Sequence, residues 1–144
     1  MRIFKLTIFY ILSFTWGIIM TTFGLIGILF SLPFGKVRKF HGRLCAVWGK
    51  GWGGVSLGCF FFVSEDCFND HTCSHECGHM LQNCLMGPFF IFLVAVPSFI
   101  RYHYRDYLVN SGKKKWYELP DYDDIWFEGQ ATRWGEKYIL TDKF

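Results

Sequence analysis

The sequence predicts a mainly α-helical protein with a short β-strand or hairpin. An N-terminal transmembrane helix is followed by a minimal domain in which two separate helices meet over one site. Three observations carry this expectation. Residues 6–35 contain no charged side chain. Residues 72–86 contain His75-Glu76-Cys77-Gly78-His79 at helical spacing. Residues 125–140 place Glu128, Ala131 and Gly135 on one helical face.

Composition narrows the class further. The chain has 144 residues, 51% hydrophobic and 21% aromatic, which is richer than an ordinary soluble domain and points to a membrane. The net charge of +3 is small, and no basic face is interleaved with aromatics, so nucleic acid is not an expected partner. The lysines and arginines of 36–43 and 113–115 lie beside apolar segments, as charges flanking a membrane do. Six cysteines occur without a C-x-x-C spacing, and Cys73 and Cys77 are one helical turn apart. Buried thiols in a reducing compartment are expected rather than disulfides.

The elements follow in order. The apolar run of 6–35 exceeds the roughly 20 residues a helix needs to cross a bilayer. Residues 1–35 are therefore expected as a transmembrane anchor, single-pass, with a break or hairpin possible at Trp16-Gly17. More Lys and Arg follow the run than precede it, which favours a cytoplasmic domain. Residues 36–54, rich in Gly and Trp, read as an interfacial linker, with His41 a minor candidate ligand. Residues 55–63 (VSLGCFFFV) read as a strand, a candidate edge for an added substrate strand. Residues 64–71 read as a turn, with Asn69, Asp70 or Thr72 capping the next helix and His71 near its start.

In the helix 72–86, His75 and His79 lie one turn apart on one face and can share an ion, while Glu76 can reach a water beside it. This is the HExxH arrangement of zinc peptidases, two ligands and a general base. The thiols of Cys73, Cys77 and Cys84 fall on the opposite face, which argues against a mixed Cys/His zinc knuckle. Gln82 shares the histidine face as a supporting or substrate-contacting residue. Residues 88–100, bracketed by Pro88 and Pro97, read as a short re-entrant or membrane-associated helix. Residues 108–124 read as a loop. In the last helix Glu128 sits among small residues that permit close approach to a neighbour, so it is the expected third ligand, with Glu136 as the alternative carboxylate. Asp121, Asp123 and Asp124 are expected in solvent. His103, Tyr122 and Arg133 are undifferentiated candidates for substrate contact or oxyanion stabilisation.

The order His75-Glu76-x-Gly78-His79-x-x-Gln82, Gly87-Pro88, Pro97-Ser98, Trp126-x-Glu128-x-Gln130-Ala131-x-x-x-Gly135 resembles the small membrane-associated HExGHxxQ proteins, found mostly in bacteria, with a gluzincin-like zinc site. The resemblance spans 52–138. It implies a zincin-like domain over 55–144, Zn²⁺ at His75, His79 and Glu128, and Glu76 as base. The expected function is a membrane-anchored zinc metallopeptidase acting on a peptide or protein. A non-catalytic membrane protein that keeps zinc for structure or partner binding is the alternative.

Overall fold

The computed structural model describes residues 2–141. It is mainly helical with one small four-stranded sheet. The N-terminal apolar run is not one helix. It forms α1 (Arg2–Phe14) and α2 (Ile18–Ser31), bent by 98° at the break between them. The run is therefore a bent pair of helices, broken where Trp16-Gly17 allowed a break, and not the expected single helix. Ser13 and Thr15 turn their hydroxyls back to Phe9 O and Ile11 O, at 2.8 and 2.7 Å, which helps to bend a helix. The bend then rests on the end of the motif helix. Trp16 Nε1 donates to Leu85 O at 3.3 Å, and a Cβ on Gly17 would stand 2.4 Å from Asn83 Nδ2. The Arg2 side chain, counted among the charges preceding the run, lies outside the described residues.

Residues 36–54, expected as a linker, carry strands. They begin with a hairpin of β1 (Val37–Phe40) and β2 (Arg43–Val47). His41 and Gly42 form its two-residue turn, both with positive φ, 45° and 81°, as a right-twisted hairpin requires. Residues 55–63 are likewise two strands rather than one. β3 (Gly54–Leu57) and β4 (Phe60–Val63) reverse at Gly58-Cys59, where Gly58 has φ +69. The sheet order is β1-β2-β4-β3, with β2 and β4 parallel and β3 at an edge.

The sheet lies between two helices. A Cβ on Gly27 of α2 would meet the ring of Phe62, and one on Gly24 would meet Leu57 O. Phe61 and Val63, on the other face of β4, are fully buried with Cys45, Cys73, Cys77 and Met80. The cysteine stripe of the motif helix is thus core, as its helical phase predicts.

That helix is α3 (Asp70–Met86). Asn69 caps it by accepting from the Thr72 N–H at 2.9 Å. Gly87, with φ +54, ends it. The following segment is longer than the expected 88–100. After a 119° bend the chain passes through a wide turn, Ile91–Ala95, into α4 (Val96–Asn110). Pro97 does not stop this helix, because a proline in the first turn removes no needed donor. The last helix is α5 (Trp126–Trp134), continued by a wide turn over Gly135–Leu140.

Candidate metal centre

α3 and α5 approach so closely that no side chain fits between them. A Cβ on Gly78 would stand 2.0 Å from Ala131 O, and one on Gly135 would stand 2.1 Å from Ser74 O. This contact carries Glu128 of α5 to the histidine face of α3. His75 Nε2 and His79 Nε2 are 3.1 Å apart, and each is 3.1 Å from Glu128 Oε2. The three atoms form an equilateral triangle, and they are the metal-capable group among the described residues.

Hydrogen bonding sets which ring nitrogens carry protons. Gln82 Nε2 donates to Phe127 O at 2.8 Å and to Gln130 Oε1 at 2.9 Å, so its Oε1 faces His79 Nδ1 at 2.7 Å. An amide oxygen only accepts, so Nδ1 carries the proton and Nε2 presents a lone pair. Thr132 does the same for His75. Its hydroxyl donates to Asp123 Oδ1 at 3.0 Å and so accepts from His75 Nδ1–H at 2.8 Å. Glu128 is fully buried, and its Oε1 accepts from Ser98 Oγ. Two imidazole lone pairs and one carboxylate oxygen therefore converge on one point.

A divalent cation fits that donor set. Ligands about 2.05 Å from a tetrahedral ion lie about 3.3 Å from one another, close to the observed edges. A triangle of this size has corners only about 1.8 Å from its centre, so a point near 2 Å from all three exists just off its plane. Protons and a cation compete for this point. With Nε2 protonated, burial pushes the Glu128 carboxyl up, but hydrogen bonds from both imidazoles outweigh it and hold the group well below the usual carboxylate range. Burial lowers His79, and the hydrogen bond and charge of Glu128, with the charge of Glu76, more than reverse this, so a cation must displace the Nε2 proton to bind.

Glu76 stands beside the triangle and outside it. It is 5% exposed, Oε2 has no hydrogen-bond partner, and a Cβ on Gly54 would stand 2.6 Å from Oε1. Burial raises its pKa. Two arms of one cleft meet here. An apolar arm of about 480 Å³ has Met20, Leu57, Phe90 and Val94 in its lining. A polar arm of about 450 Å³ has His71, Thr72, Asp121 and Asp123 in its lining. His75, Glu76, Gly54 and Tyr122 line both.

The remaining candidates separate. Tyr122 packs beside His75, with ring centroids 6.2 Å apart. Its phenol is raised by burial and then by the Glu128 charge, so it stays a hydrogen-bond donor. His103 lines the apolar arm, set edge-on against Phe99 with ring centroids 4.3 Å apart. Arg133 is exposed on α5, near Gly129, and does not line the cleft. His41 is a turn residue packed on Phe40, and Glu136 is exposed; neither belongs to the triangle. Asp123 is exposed but not merely solvated, since it holds Thr132. Thr132 and Ser98 are neighbours of the triangle that sequence reasoning missed. Thr132 could have been found one helical turn after Glu128, on the same face. No protein-family model, no curated protein and no solved structure matches this chain.

Proposed function

We propose that the protein is a membrane-associated zinc metallopeptidase. The observation that carries this reading is the 3.1 Å triangle of lone-pair donors with a buried, unpartnered carboxylate oxygen, Glu76 Oε2, next to it. His75 and His79 would hold zinc through Nε2 and Glu128 through Oε2, a His₂Glu set that leaves a position open for water. When bound, zinc lowers the pKa of its water to about 7 and polarises a carbonyl. Glu76 Oε2 accepts the proton that the attacking water releases and hands it to the leaving amine. Gln82 and Thr132 keep both imidazoles in the ligating tautomer. The Tyr122 hydroxyl donates to the scissile carbonyl oxygen. A purely structural site has no use for Glu76, and the two-armed cleft supplies room for a chain to lie across it.

The membrane part of the reading rests on exposed apolar side chains. Phe4, Ile11, Phe23, Ile26 and Phe30 project from α1 and α2, and Phe92, Phe99 and Ile100 project from the segment leading into and along α4. Among the described residues no single helix is long and apolar enough to cross a membrane, although two bent pairs pass by length and composition together. We infer that the bent α1–α2 pair and the apolar start of α4 lie in one leaflet, while α3 and its polar site stay outside it. All six cysteines are free, which suits a domain on the reducing side.

The test is Glu76→Gln in the purified full chain. It should keep zinc and fold while hydrolysis of a peptide library falls about 100- to 10,000-fold, the range a general base contributes. Wild type with stoichiometric zinc that cleaves nothing in the library would replace this reading with the non-catalytic one.

A further inference from the structure

The two arms of the cleft differ in chemistry, and β3 gives them a direction. Gly53 O accepts from Ser64 N at 2.9 Å, and the register pairs Gly54 with Val63 and Val55 with Phe62. Hydrogen-bonded pairs alternate in an antiparallel ladder. Gly53, Val55 and Leu57 therefore spend their main-chain groups on β4. Gly54 and Ser56 turn theirs toward the free edge of the sheet, because among the described residues β3 has no strand on its other side.

That edge lines the cleft. Its Gly54 end lies against Glu76 and belongs to both arms, whereas Leu57 belongs to the apolar arm alone. Ser56 is 7% exposed, its Oγ has no hydrogen-bond partner, and it lines the apolar arm. Ser56 Oγ and Glu76 Oε2 are two buried polar atoms left unsatisfied, in a wall that is mostly apolar. Such atoms carry a cost that a ligand's polar groups would remove.

We propose that the substrate is an extended chain with bulky apolar side chains before the scissile bond and polar side chains after it. This rests on the peptidase reading of the site and adds the order of residues to it. A chain that joins β3 antiparallel, the more stable pairing, enters at the Leu57 end and leaves at the Gly54 end. Its N-terminal part lies over Met20, Leu57, Phe90 and Val94. Its C-terminal part passes the Glu76 carboxylate into the arm lined by His71, Asp121 and Asp123. Gly54, Ser56 and the Ser56 hydroxyl bind main-chain groups, so selection falls on side-chain polarity rather than on one residue type.

The experiment uses the zinc-loaded full chain with Glu76→Gln, so that peptides persist. Two capped probes of equal composition are titrated by calorimetry: acetyl-Val-Leu-Leu-Ser-Asn-Ser-amide and its reversed sequence. The apolar-first probe should bind about tenfold or more tightly than the reversed one. Phe99 is exposed at the rim of the apolar arm, so Phe99→Ser leaves the fold intact and should remove most of that difference. Equal binding, tighter binding of the reversed probe, no binding of either, or an unchanged gap in Phe99→Ser overturns the proposal. Failure of the peptidase reading shows separately. Wild type that cuts a mixed library in a Glu76-dependent way without this order keeps the peptidase and loses the direction, whereas a chain without zinc loses the peptidase itself.

Discussion

Gly78→Ala tests the helix contact on which the candidate metal centre stands. The added Cβ would lie 2.0 Å from Ala131 O and 2.6 Å from its carbonyl carbon. Both are backbone atoms of α5, so no side chain can swing aside. Ordinary contact begins near 3.4 Å, which asks α5 to retreat by about 1.4 Å along that line. Glu128 rides on the same helix, and the 3.1 Å edges of the triangle would open to roughly 4.5 Å. Two ligands about 2.1 Å from one ion cannot stand more than about 4.2 Å apart, so the carboxylate is lost as a ligand. Zinc affinity should fall by at least about 100-fold. The fold should survive. Overpacking costs about 1–3 kcal/mol, and the gain in helix propensity from Gly to Ala returns about 1 kcal/mol. Competition with a chromophoric chelator reads the affinity, and far-ultraviolet circular dichroism reads the helix content. A folded Gly78→Ala protein with wild-type zinc affinity would refute the argument that helix proximity builds the site.

Two further outcomes are expected. Thr132→Val keeps the shape of the side chain but leaves His75 Nδ1–H without its acceptor, so zinc affinity should drop about 10- to 100-fold with the thermal midpoint almost unchanged; equal affinity by the same chelator competition would remove Thr132 from the site. Burial pushes the Cys45 thiol up to about 11 and those of Cys59 and Cys73 to about 12, and raises Cys77 and Cys84 as well. At pH 8 the native chain should therefore expose Cys67 alone to a thiol-reactive dye, with the other five released only in denaturant; rapid labelling of a second cysteine in the native state would contradict the packed α3–sheet interface.

Much of the site was legible before any coordinates because helical phase is a local property. Four-residue spacing alone puts His75 and His79 on one face and the thiols on the other, and the small residues Ala131 and Gly135 announce a close helix neighbour. The elements that misled are those whose local signal was shared between two outcomes. An uncharged run of 6–35 satisfies the length of a span, yet it bends into two helices where Trp16 and Gly17 meet the end of α3. Residues 36–47 read as a connector by their charges and glycine, yet they pair as two strands around a His41-Gly42 turn. Pro97 looked like an end and proved to be a beginning, since a proline says only that its own N–H is missing.

The order of residues along the chain determined the chemistry on offer: two imidazoles, a base, a distant carboxylate, and a stripe of thiols kept apart from them. Only the tertiary structure decided that the two imidazoles and the distant carboxylate meet. Convergence of α3 and α5, the Thr132 and Gln82 hydrogen bonds that orient the rings, and the unequal arms beside β3 all join residues far apart in sequence. Such contacts depend on how whole helices and strands pack against one another, and a periodicity read along one segment carries no information about its neighbour's distance.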